Sequence, residues 1–169
     1  LQTQHVKAIV VACNTASAFA LDEVAGENNL PMIGVVKPGA RVAAQVTSNK
    51  RIGVIGTEGT TGSHIYRNYI QDIDPEITVI EKPCPLLVPL VEERWIHDSV
   101  TRQVLERYLA GLQEQQVDTL VLGCTHYPLL RSIVGEIMGS AVTLVNPAYE
   151  TALELKQLLA ARNLTNPGT

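Results

Sequence analysis

Two stretches of this chain are built to one plan. Residues 7–15 read KAIVVACNT and residues 118–126 read DTLVLGCTH, with Cys13 and Cys124 in register. Each is a short, nearly continuous apolar run, then a Cys, then small polar residues suited to opening a helix. A run that is apolar on both faces describes a parallel strand covered on each side, not a half-exposed antiparallel one. Eighteen residues beyond each Cys another apolar run begins, at Pro31 and at Val142. The repeated unit is strand, Cys, helix, strand. Two copies imply an α/β chain with two similar halves related by a pseudo-two-fold axis and mainly parallel sheets.

The rest of the chain keeps the same alternation. Strands are expected over 7–12, 31–36, 51–56, 77–81, 117–123 and 141–145. Helices are expected over 15–26, 40–46, 60–70, 100–112, 127–138 and 148–161, with 86–91 a short helix or a loop between prolines. Residues 26–29 (GENN) and Pro38-Gly39 punctuate the pattern. The polar tail from Asn163 is expected to fray.

Composition removes several functions. Apolar residues make up 46% and charged residues 18%, the balance of a globular chain rather than a disordered or fibrous one. The net charge is −4, and the 13 Lys and Arg are scattered, so no basic stripe exists for nucleic acid. Aromatics at 4% leave no stacking platform for single strands. No run reaches the length of a membrane span. Residues 10–13 (VVAC) resemble a lipoprotein cleavage box, but the apolar run from Ala8 to Ala12 is too short for a secretory h-region. Cysteines at 13, 84 and 124 are odd in number and make no disulfide framework, so a reduced, cytoplasmic setting is expected. The chain opens on Leu1 without an initiator Met, and a buried strand follows almost at once, as though the sequence were trimmed or began inside a domain.

Cys13 and Cys124 each fall just beyond the carboxyl end of an expected parallel strand, where open α/β sheets hold their ligands. The helix that follows offers free N–H groups and a positive dipole, which stabilise a thiolate and attract a carboxylate. Either Cys alone is equally well read as a small buried hydrophobe. Two in register, both followed by polar helix starts, favour chemistry. Cys84, in Pro83-Cys84-Pro85, has no such turn and reads as structural. A cysteine-phosphatase loop fails, because Arg131 stands seven residues after Cys124 rather than six. No C-x-x-C is present, and Cys124 with His126 supplies only half of a zinc site. A cysteine hydrolase needs one thiol and one base. Two thiols on one bound molecule suit removing a proton from one face and returning it to the other.

The segments ACNTAS (12–17), PGAR (38–41), GVIGTEGT (53–60), PLLVPLVE (85–92) and LGCTHYPLL (122–130) together resemble glutamate racemase, in order along the whole chain. The wider superfamily includes aspartate racemase, whose members usually carry Glu where His126 stands. The resemblance implies a two-base interconversion of L- and D-glutamate, feeding peptidoglycan synthesis, without pyridoxal phosphate or metal. Cys13 and Cys124 are the implied acid/bases, with His126 tuning Cys124. Asn14, Thr15, Thr57, Thr60 and Thr125 are the implied substrate contacts, and Glu92 an implied neighbour of the second Cys. Thr57 and Thr60 are equally well read as a turn and a helix cap. The implied partner is glutamate, with no nucleic acid or membrane, and a homodimer is open.

The family opens with a strand ending in Asp-Ser-Gly and then a Pro-Tyr-Gly segment, and both fall before the position matching Leu1. The implied lobes are therefore 1–37 with 146–169, incomplete, and 38–145, nearly whole. Two other readings stay open: a racemase of another acidic amino acid, of aspartate type, and a catalytically inactive fragment acting as an interaction module.

Overall fold

Strand β3 (Arg51–Gly56) is the spine of the molecule. Five of its six residues are buried, as a strand flanked on both edges and covered on both faces requires. In the computed structural model, which describes residues 1–27 and 29–166, it pairs in parallel with β4 (Thr78–Pro83) on one edge and β5 (Thr119–Gly123) on the other. Strand β6 (Thr143–Val145) continues from β5, giving a four-stranded parallel sheet in the order β4-β3-β5-β6. A second, two-stranded parallel sheet joins β1 (Ile9–Val11) to β2 (Met32–Gly34). The fold is α/β with parallel sheets, as the alternating pattern implied.

The alternation of side chains along β3 and β5 divides the core in two. Ile52, Val54 and Val121 point to one face, where they meet Val36, Ala40 and Ala43 of α2 (Val36–Val46) and Tyr66 and Ile70 of α4 (Ile65–Ile73). Ile55, Leu120 and Leu122 point to the other. There they pack on α5 (Leu87–Glu92), α6 (Ser99–Glu114) and α7 (Arg131–Met138). Fully burying each such Ile or Leu contributes about 1.5–3 kcal/mol. That makes a three-layer arrangement, with helix α1 (Asn14–Gly26) beside the small sheet and α8 (Pro147–Ala161) against α2.

Several expected boundaries move, each for a physical reason. Helix α2 starts at Val36 rather than residue 40, so Pro38-Gly39 lies in its first turn. The first N–H groups of a helix have no intrahelical partner, so Pro is tolerated there. Gly39 is needed for closeness, since a Cβ would stand 2.9 Å from Pro147 Cγ at the start of α8. The helix expected over 60–70 is two: α3 (Glu58–Gly62), then a break at His64 (φ 55°), then α4. His64 Nδ1 bonds the buried Glu81 carboxylate at 2.7 Å and Arg67 joins it at 3.1 Å, fixing the break against β4. Residues 127–138 begin as a 3-10 turn (Tyr127–Leu130) before α7. Segment 86–91 is helical, as α5.

Strand β1 departs most. It spans three residues instead of 7–12, and Val10 at its centre is 39% exposed. Among the described residues it pairs with β2 alone, so its apolar composition is not matched by burial on both faces. The tail is better held than its polarity suggests, because Lys7 Nζ donates to Leu164 O at 2.9 Å and Asn166 Oδ1 at 2.6 Å. Residues 167–169 of that tail, and Asn28 of the 26–29 break, lie outside the described residues.

Candidate active site

The carboxyl ends of β1, β3 and β5 converge. Gly56 and Gly123 are register partners, so Thr57 and Cys124 emerge side by side, and Cys13 follows β1 close by. A cleft of about 210 Å³ is lined by Cys13, Asn14, Thr15, Thr57, Val88, Gly123, Cys124, Thr125 and His126. Drug-sized pockets run to roughly 300–1,000 Å³, so this one suits a smaller molecule.

Cys13 is the N-cap of α1, with an extended backbone and its sulfur accepting the Ala16 N–H at 3.5 Å. It is exposed, at the positive end of a 13-residue helix. Such a position draws anions.

Cys124 is buried, at 8% exposure, one residue beyond β5. Burial pushes its thiol above the ordinary value. The backbone N–H of His126 pulls the other way, negative charge on Cys13 adds to the rise, and the backbone N–H groups of Thr125 and Tyr127 oppose it. His126 Nδ1 stands 3.8 Å from the Cys124 sulfur, and its Nε2 lies 3.1 Å from Glu92 Oε1 at the end of α5. A carboxylate can only accept, so the neutral imidazole carries its proton on Nε2 and presents a bare Nδ1 to the thiol. The three groups form a line through which the Cys124 proton can pass to the imidazole and return.

The polar lining draws on both copies of the repeat and on the turn that follows β3. Thr15, Thr57 and Thr60 bring their hydroxyls into a triangle, at 2.9 Å for Thr15–Thr57, 3.0 Å for Thr15–Thr60 and 3.1 Å for Thr57–Thr60. Thr57 also caps α3, accepting the Thr60 N–H at 3.2 Å, so capping and cleft lining coexist there. Thr60 is fully buried and reaches the cleft only through the other two. Thr125 donates to Ala12 O at 3.0 Å, tying the turn after β5 to the end of β1 across 113 residues. Asn14, 4% exposed, accepts the Tyr66 O–H at 2.6 Å on its Oδ1.

Cys84 stands apart, in the α5–α6 side of the core. It is fully buried, donates to Lys82 O at 3.5 Å, and burial pushes its thiol up to about 12. Tyr66 and Val88 are members of the site that the sequence did not mark. Tyr66 looks like any aromatic on the apolar side of an amphipathic helix, and Val88 like any core residue of the PLLVPLVE segment.

Comparison with known proteins bears on the fold and the family. The family model for Asp/Glu/Hydantoin racemase matches residues 1–154. A glutamate racemase of Geobacter metallireducens is 50% identical over 164 residues, covering 97% of this chain and 61% of the relative. A glutamate racemase isoform of Bacillus anthracis superposes with a TM-score of 0.92 at 40% identity, over 96% of this chain and 61% of that one. The Francisella tularensis glutamate racemase, solved in complex with D-glutamate, gives 0.91 at 32% identity, over 99% of this chain and 62% of that one. An aspartate racemase of Picrophilus torridus, at 19% identity and a TM-score of 0.67, shares the fold. The chain thus spans about 61% of the length of the curated relatives it matches, and it belongs to the Asp/Glu/Hydantoin racemase family.

Proposed function

We propose that this cleft interconverts L- and D-glutamate by proton transfer between two thiols, in a protein that supplies D-glutamate for peptidoglycan. The observation that carries the reading is a cleft lined by both Cys13 and Cys124, each at a strand end. One thiolate takes the α-proton and the other thiol returns a proton to the opposite face. In the reverse direction the roles exchange. Cys124 draws on His126 and Glu92 to manage its proton, while Cys13 draws on the N-terminus of α1. The Thr15–Thr57 pair and the Asn14 and Thr125 groups are the candidate holders of the carboxylates and amino group, with Thr60 supporting them from below.

Because both proton carriers are side chains of this chain, no step calls for pyridoxal phosphate or a metal. No helix among the described residues is long and apolar enough to cross a membrane. A cytoplasmic protein, homodimeric or monomeric, fits the reading. We assign 1–37 with 146–169 to one lobe and 38–145 to the other, the cleft lying where they meet.

Glutamate is favoured over aspartate by His126 beside Cys124 and by identities of 27–50% to glutamate racemases. The test is turnover by the protein as its gene encodes it. L- and D-glutamate, then L- and D-aspartate, are followed by circular dichroism with a chelator present and no added cofactor. Racemisation of glutamate alone is expected. Turnover of aspartate alone, or arrest by the chelator, contradicts the reading.

A further inference from the structure

Tyr66 belongs to α4, outside the two Cys segments, yet it touches both. Its hydroxyl donates to Asn14 Oδ1, and Asn14 directly follows Cys13. Its ring lies against Gly123, which directly precedes Cys124; a Cβ on Gly123 would stand 3.3 Å from Tyr66 Cε2. Tyr66 is 0% exposed and Asn14 4%. Burial pushes the phenol well above its ordinary value, so the O–H stays protonated and available to donate.

A side-chain amide has one acceptor end and one donor end. When Tyr66 holds the Oδ1 end, the N–H2 end must turn the other way. Asn14 lines the cleft beside both thiols, and its Nδ2 has no hydrogen-bond partner among the described residues. We propose that Tyr66 is a positioning residue that sets the Asn14 amide, fixing its N–H2 as a donor into the cleft between Cys13 and Cys124. There it meets the carboxylate next to the carbon that loses its proton. Negative charge grows on that carboxylate as the proton leaves, so a donor fixed in advance strengthens toward the transition state. Without the phenol the amide can rotate and present its oxygen to an anion. The inference rests on the two-thiol racemase reading.

Tyr66→Phe removes the hydroxyl and keeps the ring packed on Gly123. We expect kcat to fall about 10–100-fold, the scale set by small misplacements of a reacting site, with KM changed less. Asn14→Ala should fall at least as far. In the Asn14→Ala background Tyr66→Phe should add nearly nothing, because the phenol acts through the amide. Additive losses would mean that Tyr66 acts only as packing and would overturn the inference, as would a Tyr66→Phe enzyme of wild-type kcat. A second readout does not need turnover. With the side-chain amides labelled, D-glutamate should shift the Asn14 N–H2 resonance of the wild type and not that of Tyr66→Phe. An Asn14 resonance that D-glutamate leaves in place, or moves equally in both proteins, contradicts it. A wild type that shows the amide shift but no racemisation would sink the racemase reading and leave the positioning role of Tyr66 standing.

Discussion

Gly123→Ala is a demanding test of how the site is built. Gly123 ends β5, with Gly56 of β3 as its register partner. A Cβ there would stand 2.7 Å from Ile55 O, 3.3 Å from Tyr66 Cε2 and 3.5 Å from Val54 Cγ1. The first neighbour is a backbone carbonyl inside the four-stranded sheet, where the strand cannot shift without disturbing its ladder. Overpacking of this kind costs about 1–3 kcal/mol. Any Gly→Ala change also restricts the unfolded chain, which stabilises by about 0.4–1 kcal/mol where the native backbone allows it. Gly111→Ala isolates that second effect, because Gly111 sits in α6 with open space around its absent Cβ. Gly111→Ala should therefore raise the melting midpoint by about 1–4 °C, given roughly 2–4 °C per kcal/mol in a chain of this size. Gly123→Ala should melt about 2–12 °C below Gly111→Ala, the steric part alone. Thermal denaturation followed by circular dichroism reads both. Because the clash displaces the residue before Cys124, activity at 25 °C should fall while the protein is still folded. A Gly123→Ala protein as stable as Gly111→Ala and fully active would refute the claim that this strand end is held tightly enough to aim Cys124.

Other expectations follow from the same contacts. Cys84→Ala should keep activity close to wild type, since a thiol pushed up to about 12 in the core keeps its proton at neutral pH and takes no part in the transfer; steady-state kinetics check this, and a dead variant would reassign the chemistry. Glu92→Gln keeps a hydrogen-bond acceptor for His126 but loses the charge, so turnover should drop about fivefold, the difference of about 1 kcal/mol between charged and neutral hydrogen bonds at an exposed pair. Steady-state kinetics check this, and a Glu92→Gln protein with wild-type turnover counts against the line of three groups. Burial works against ionising Asp118, but Thr47, Ser48 and Asn49 donate four hydrogen bonds at 2.6–2.8 Å and hold its pKa at about 2. Its folded pKa lies below the unfolded value of about 3.9, so its stabilisation is complete above that value and is lost as pH falls toward 2. Urea midpoints between about pH 5 and 2 should therefore fall more steeply for wild type than for Asp118→Asn; equal slopes would refute the assignment.

The sequence showed those parts of the fold where local pattern and tertiary burial agree. The RIGVIG and TLVLG runs sit at the sheet centre, covered on both faces, so continuous apolar character and strand coincide. Residues 7–12 looked the same, yet only Ile9–Val11 pair, because a run of apolar residues does not reveal how many neighbours it has. Pro38-Gly39 misled as punctuation, since local rules cannot see that α8 must approach Gly39 or that Pro falls where a helix needs no donor. The break at His64 was hidden for the opposite reason, its anchor being Glu81 on β4, 17 residues away. For the candidate site, repetition singled out Cys13 and Cys124 with the small polar residues after them, while the roles of Asn14, Thr15, Thr57, Thr60, Thr125, His126 and Glu92 came only with the family resemblance. The hydroxyl triangle joining Thr15 to Thr57 and Thr60, and the contact of Tyr66 with Asn14, span 42 to 52 residues and leave no trace in spacing.

The most direct test of the two-thiol account is racemisation in deuterated water, begun from L-glutamate and, separately, from D-glutamate. With two distinct proton carriers, the newly formed enantiomer should carry solvent deuterium at Cα, while the remaining starting enantiomer keeps its hydrogen early in the reaction. Cys13→Ala and Cys124→Ala should each abolish interconversion, since each acid–base group contributes roughly 10²–10⁴-fold and neither has a substitute. Early deuterium in the unreacted enantiomer, or interconversion that survives loss of either thiol, would contradict the account.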